Sequence, residues 1–209
     1  MVGRIIQGDG CIAEGAAALA AAEPRFAQAL SVIGPIPLRL RPDGFGALLE
    51  AIIGQQVSVA SARAIMARLE AADLTGAQAV SGSDEEALRA CGLSRQKIRY
   101  TLALARAELD YAGLRSLPTE EVLATLVALP GIGSWTAEIY AMFSLGRADV
   151  FAPGDLALQE AAARLFDLPE RPKEKPFRQM AEAWAPWRSV AARILWAYYR
   201  VSTAREGIS

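Results

Sequence analysis

The chain contains no histidine and, in 209 residues, only two cysteines, Cys11 and Cys91. The first absence removes the commonest general base and deprives a zinc site of its usual nitrogen ligand. Two cysteines at unrelated positions make no disulfide framework. Long apolar runs are missing too: the stretch 16–22 is short and alanine-rich, far from a membrane span. No signal-peptide pattern opens the chain, so the cytoplasm is the expected compartment. An excess of positive charge is also lacking, since 22 Lys and Arg stand against 23 Asp and Glu. Proteins held to DNA by broad electrostatics are usually basic. A net charge of −1 therefore predicts weak nonspecific affinity and a shallow salt dependence for any nucleic-acid binding.

What is present is alanine and helical periodicity. The composition is 53% hydrophobic, enough for a sizeable core in one domain or two small lobes. Sustained alternation is absent, which predicts an all-α fold. Helices are expected over 12–22 and 24–33, with Pro35 and Pro37 forming a joint. Phe45, Leu48, Leu49, Ile52 and Ile53 mark one buried helix face. Gly54-Gln55-Gln56 breaks that helix, and Ser58 restarts the pattern. Further helices fit 84–90, 95–111, 177–183 and 187–201, with a charged loop over 169–176. Trp184 and Trp187 read as core residues.

The most informative stretch runs from Leu129 to Asp155. Thr119 is placed to cap a helix whose first turn holds Glu120 and Glu121, and Pro130 stops it. Gly131 and Gly133 permit positive φ. Ser134 is placed to cap the next helix, which buries Ala137, Ile139, Tyr140 and Phe143 in part and ends near Gly146. A glycine hairpin before a helix N-terminus turns free amides outward, where an anion binds without basic side chains. An ordinary tight turn explains the glycines equally well. Asp155 follows a Pro- and Gly-containing loop at the start of a helix over 156–166, in a position suited to a cap, a catalyst or both. A phosphate site joined to a carboxylate at this spacing suggests an enzyme acting on DNA. Arg95, Lys97 and Arg99 cluster behind Ser94, a helix cap; the cluster is either a solvated face or a contact surface.

LPGIGSWTA (129–137), followed by FAPGD (151–155), resembles the helix-hairpin-helix (HhH-GPD) DNA glycosylases. The similarity is strongest to the 3-methyladenine DNA glycosylase II branch, in a short form without the N-terminal β-domain. Segments 52–58 (IIGQQVS) and 184–189 (WAPWRS), running on to Trp196, agree with that branch. The resemblance covers roughly 37–199 and implies two helical lobes with a cleft between them. One lobe would comprise 1–36 plus 167–209, and the other 37–166, with the hairpin and the Gly/Pro-Asp loop.

The resemblance also implies roles. Asp155 becomes the catalytic carboxylate, and Trp135, Tyr140 and Trp196 the walls of a base pocket. Gln55, Gln56, Ser94, Lys97, Gly131, Gly133, Ser134 and Thr136 become DNA contacts, with Gln56 entering the stack as the wedge. The main-chain carbonyls of Val127, Leu129 and Ile132 would ring a structural Na+ or K+, with no cofactor required. Trp135 stands where bifunctional relatives carry a lysine, which predicts hydrolysis without lyase activity. The endonuclease III branch has a four-cysteine iron–sulfur loop that this chain cannot supply. The implied partner is duplex DNA containing damaged bases, bound by a monomer, with 3-methyladenine as the default lesion. 7-Methylguanine, hypoxanthine, ethenoadenine, 1-methyladenine and 3-methylcytosine stay open. The alternatives are a noncatalytic helix-hairpin-helix module that binds damaged DNA and, more remotely, an unrelated helical interaction protein.

Overall fold

The computed structural model describes residues 2–206, and their side chains as far as 204. All regular structure among these residues is helical, apart from an isolated bridge between Ile5 and Arg147. The chain opens with α1 (Asp9–Ala22) and α2 (Pro24–Val32). Next come α3 (Phe45–Gly54), α4 (Val59–Ala71), α5 (Ala77–Gly82), α6 (Glu85–Ala90) and α7 (Arg95–Arg106). They are followed by α8 (Tyr111–Leu114), α9 (Thr119–Val127) and α10 (Ser134–Phe143). The chain closes with α11 (Leu156–Leu165), α12 (Glu174–Met180), a 3-10 turn over Ala181–Trp184, and α13 (Arg188–Glu206).

These helices form two compact units, one spanning 41–140 and the other 3–40 with 141–206. The boundaries fall at 40/41 and 140/141, whereas the sequence places them at 36/37 and 166/167. The reason is α11. Its Leu158, Ala161, Ala162 and Leu165 are buried, and it packs on α13. Small alanines let the two helices approach closely, which draws 141–166 into the unit built from the termini.

In the 41–140 unit, the five apolar positions expected on α3 are all buried, from Phe45 at 8% exposed to Ile53 at 0%. α3 packs against α4 and α7, and α7 also against α5 and α6. Ser58 caps α4 by accepting from Ser61 N, and Ser94 caps α7 by accepting from Lys97 N. The helix expected over 95–111 is shorter: α7 stops at Arg106, and Glu108 takes φ 47°. Asp110 then caps the separate short α8, accepting from Gly113 N at 2.8 Å. A side chain that offers a local cap competes with helix continuation, and here the cap wins. α5 and α8 are too short for periodicity to reveal.

The other unit is centred on Trp184, which is 4% exposed. Phe26 and Phe151 meet its ring edge-on at 5.3 Å, and Phe166 stacks on it at 5.7 Å. Offset and edge-to-face geometries of this kind place ring edges against ring faces. Gly15 of α1 lies against Trp187, where a Cβ would run into the indole. Both tryptophans are core residues, as the sequence predicts.

Candidate functional site

The hairpin begins where α9 ends. Pro118, not Thr119, precedes the first turn of α9; Thr119 is its first residue, and no side chain caps it. Leu129 to Ile132 form a tight turn, closed by Ile132 N donating to Leu129 O at 3.1 Å. Pro130 in the second position and Gly131 at φ 89° in the third are the residues a type II turn requires. Gly131 is needed twice over, because a Cβ there would collide with the ring of Tyr100 on α7. Gly133 is exposed with open space around it, and its carbonyl accepts from Ala137 N at 3.0 Å. That bond starts α10, so Gly133 occupies the cap position and Ser134 is the first helical residue. Gly133 and Ser134 are exposed at the start of α10, and a helix N-terminus is where a phosphate is favoured.

Other predicted contact residues gather beside the hairpin. Gln55 ends α3, and its Nε2 donates to Gly131 O at 2.8 Å, 76 residues away in the chain. Gln56 is exposed at φ 56°, held out at the helix break. A cleft of about 250 Å³ is lined by Gln55, Gln56, Ser94, Lys97 and Tyr100, among others. The structure therefore assembles four of the expected DNA contacts in one place.

Three of the expected residues are largely buried. Lys97, in the wall of that cleft, is 8% exposed, and its Nζ donates to Ile53 O at 2.6 Å. It thus satisfies a carbonyl in the last turn of α3, where a cation is favoured, and burial pushes its pKa down. Thr136 is 7% exposed, on the inner side of α10. Tyr140 is 4% exposed, and its hydroxyl accepts from Gly44 N at 2.9 Å. Burial raises its pKa. Beside it, Arg115 binds Asp43 through two bonds of 2.7 Å, holding that carboxyl below its ordinary value. Trp135, by contrast, is 46% exposed.

In the second unit, Asp155 caps α11. Its Oδ1 accepts from Leu158 N at 3.0 Å and from the indole Nε1 of Trp196 at 3.2 Å. Trp196 packs on Phe143 at 5.7 Å, and the guanidinium of Arg193 lies 4.6 Å from the other ring of that pair, Phe143. Arg193 is 2% exposed and donates to the carbonyls of Leu38, Met142 and Ser189, and to Ser189 Oγ. Burial lowers its pKa to about 10, so it remains charged at neutral pH. Arg193 and Tyr100 escaped the sequence reading, and Phe143 entered it only as a partly buried helix residue, because nothing local distinguishes a side chain that steadies a functional one. A carboxylate so fixed can stabilise positive charge or orient a water.

Val127 is the last residue of α9, and the Leu129 carbonyl accepts from Ile132 N within the hairpin turn. Among the described residues, no group of three or more His, Cys, Asp or Glu is placed to hold a metal. None of the described helices is long and apolar enough to cross a membrane.

A family model described as HhH-GPD superfamily base excision DNA repair protein matches residues 49–186. DNA-3-methyladenine glycosylase 1 of Schizosaccharomyces pombe is 32% identical over 160 residues, covering 71% of this chain and 69% of that protein. The crystal structure of a DNA-3-methyladenine glycosidase from Bacillus halodurans superposes with a TM-score of 0.83 at 32% identity, covering 91% of each chain. The Schizosaccharomyces pombe 3-methyladenine DNA glycosylase in complex with abasic DNA gives a TM-score of 0.74 at 28% identity, covering 88% of this chain and 95% of that one.

Proposed function

The chain belongs to the HhH-GPD superfamily of base excision DNA repair proteins, and from that membership we propose a specific activity. It is a monofunctional DNA glycosylase that hydrolyses the N-glycosidic bond of alkylated bases in duplex DNA, 3-methyladenine foremost. The observation that carries this reading is the Asp155 carboxylate, fixed by the Leu158 amide and the Trp196 indole.

The damaged nucleotide must leave the helix first, at a cost of a few kcal/mol. Gln56 is the residue assigned to the vacated space, since it is exposed and projects from a helix break. The hairpin amides after Gly131 hold a phosphate beside the extruded nucleotide. Trp135 and Tyr140 in the 41–140 unit, and Trp196 in the other, each keep the role toward the base that the family resemblance implies. The Tyr140 hydroxyl accepts from Gly44 N and keeps its own proton to donate. An alkylated purine is electron-poor, and aromatic faces favour positive charge.

As the base departs, the sugar gains oxocarbenium character, which the Asp155 carboxylate stabilises through space. The same carboxylate orients the attacking water. A cationic leaving group such as 3-methyladenine needs no separate general acid. Trp135 offers no amine at the position where a lyase needs one, which supports hydrolysis alone. The neutral carbonyls of Val127, Leu129 and Ile132 suit a monovalent cation; such an ion would help neutralise the bound phosphate. A reducing cytoplasm suits the free Cys11 and Cys91.

The test uses duplexes that each carry one defined lesion. Base release by the wild type but not by Asp155→Asn, with strands intact until alkali is added, is the expected result. Binding to an abasic-site analogue without release from any lesion would make the protein a damage-binding module. Strand cleavage before alkali would contradict the monofunctional assignment.

A further inference from the structure

Between α10 and α11 the chain runs through 144–155 and delivers Asp155 to the start of α11. Early in this segment it is tied to α13. Arg188 donates to both carboxylate oxygens of Asp149, at 2.6 and 2.8 Å, and Ser189 N donates to Ala148 O at 2.9 Å. Phe151 is then buried against Phe177 and Trp184. These anchors end four residues short of Asp155. Ala152, Pro153 and Gly154 follow in a turn closed by Asp155 N donating to Ala152 O at 3.0 Å.

Gln159 ties down that turn. Its Nε2 donates to Pro153 O at 2.8 Å, while its own amide donates to Asp155 O at 3.0 Å in the first turn of α11. Pro153 is buried, and a buried carbonyl left without a donor is costly. Helical side chains lean toward the helix N-terminus, so position 159 reaches back past the cap to a carbonyl six residues earlier. One residue thus holds the chain on both sides of Asp155.

The residue type matters as much as its place. Glutamine or glutamate near the start of a helix ordinarily accepts from the amide of the cap residue. Here that amide is taken by Ala152 O, and the side chain donates instead. By helix propensity Glu serves as well as Gln, and close to a helix N-terminus its negative charge is favoured. Yet glutamate has no N–H to give Pro153 O, and it would add a second negative charge one turn from Asp155. Local helix rules and the needs of the turn therefore make opposite demands at 159, and the turn prevails.

We propose that Gln159 is a positioning residue for the reaction: by holding the Pro153 carbonyl it sets the backbone from which the Asp155 carboxylate is aimed. It rests on the glycosylase reading above. The bonds from Leu158 N and Trp196 Nε1 orient the carboxylate at the end of its side chain. The bond from Gln159 fixes where that side chain begins. Gln159 itself supplies no reacting group. A misplacement of about 1 Å at a reacting group costs on the order of 100-fold in rate, so loosening the turn slows excision with the catalytic carboxylate still present.

The experiment compares wild type with Gln159→Met, which keeps the length of the side chain without an N–H, and Gln159→Glu, which keeps its shape without the donor. Single-turnover base release at saturating enzyme is measured on duplexes that each carry one alkylated base. Affinity for an abasic-site analogue and thermal melting are measured on the same preparations. The rate falls roughly 10- to 100-fold in both variants, while affinity stays at the wild-type level and melting stays cooperative. Glu160→Gln, at the next position of α11, breaks the pairs with Arg164 and Arg171 and leaves the rate unchanged. A wild-type rate in either Gln159 variant overturns the proposal and leaves the glycosylase reading intact. An equal fall in Glu160→Gln, or loss of cooperative melting in both Gln159 variants, also overturns it, because the effect would then belong to the stability of α11. A wild type that releases no base from any lesion overturns both.

Discussion

Trp196 Nε1 and Leu158 N both donate to the same oxygen, Oδ1 of Asp155, at 3.2 and 3.0 Å. One donor belongs to α13 and the other to α11, two helices that pack on each other. The cap bond alone would leave the carboxylate free to pivot about its accepting oxygen. The indole on a second helix removes that freedom. A cap residue thereby becomes an oriented charge, and the structural and chemical roles of Asp155 reinforce each other.

Replacing Asp155 with Asn preserves an oxygen that can accept both bonds, and Asn is as good a cap as Asp. Stability should change by less than about 1 kcal/mol. Loss of the negative charge removes the stabilisation of the developing cation, with an expected fall in excision on the order of 100-fold or more. Thermal melting and single-turnover base release on the same preparation separate the two effects. Near-wild-type release would remove Asp155 from the mechanism.

Trp196→Phe keeps a ring against Phe143 but loses the donor to Asp155. A hydrogen bond to a charged group is worth about 1.5–3 kcal/mol. The rate of release should fall at least about tenfold, while binding to an abasic-site duplex stays close to wild type. A rate at saturation equal to wild type would show that the Trp196 indole does not position the Asp155 carboxylate.

Gly131→Ala tests the hairpin. The alanine must adopt φ 89° and push Tyr100 aside, so a destabilisation of about 1–3 kcal/mol is expected, with weaker DNA binding. Gly133→Ala adds a methyl to open space and should leave the melting temperature near wild type. Denaturant titration compares them. Equal stability of the two variants would refute the requirement for glycine at 131.

Alkaline pH reports on Tyr111. Its pKa is raised to about 12, first by burial and then by the neighbouring Tyr140. A phenol whose pKa is higher folded than unfolded adds stability that is present below its ordinary value near 10. That contribution is lost as the pH rises from about 10 toward about 12. Tyr111→Phe should flatten the decline in unfolding free energy over this window, measured by urea titration at stepped pH. Identical declines in the two proteins would show that Tyr111 ionises as freely folded as unfolded.

Much of this architecture follows from rules that act within a few residues. The buried face of α3 was legible from spacing alone, because a 3.6-residue period aligns Phe45, Leu48, Leu49, Ile52 and Ile53 whatever lies opposite. Ser58, Ser94 and Asp155 declared themselves as caps, since a cap bond spans three residues. Composition and motif order pointed to the helical class and to the family. Tertiary structure decided what each exposed-looking side chain does. Lys97 stands among arginines in the sequence, and folding carries its Nζ to Ile53 O, 44 residues away. Tyr140 surrenders its hydroxyl to Gly44, 96 residues distant, and Asp155 gains an indole 41 residues downstream. Helix periodicity and capping are set by local geometry, whereas such partnerships depend on which helix faces meet, and only the packed core determines that.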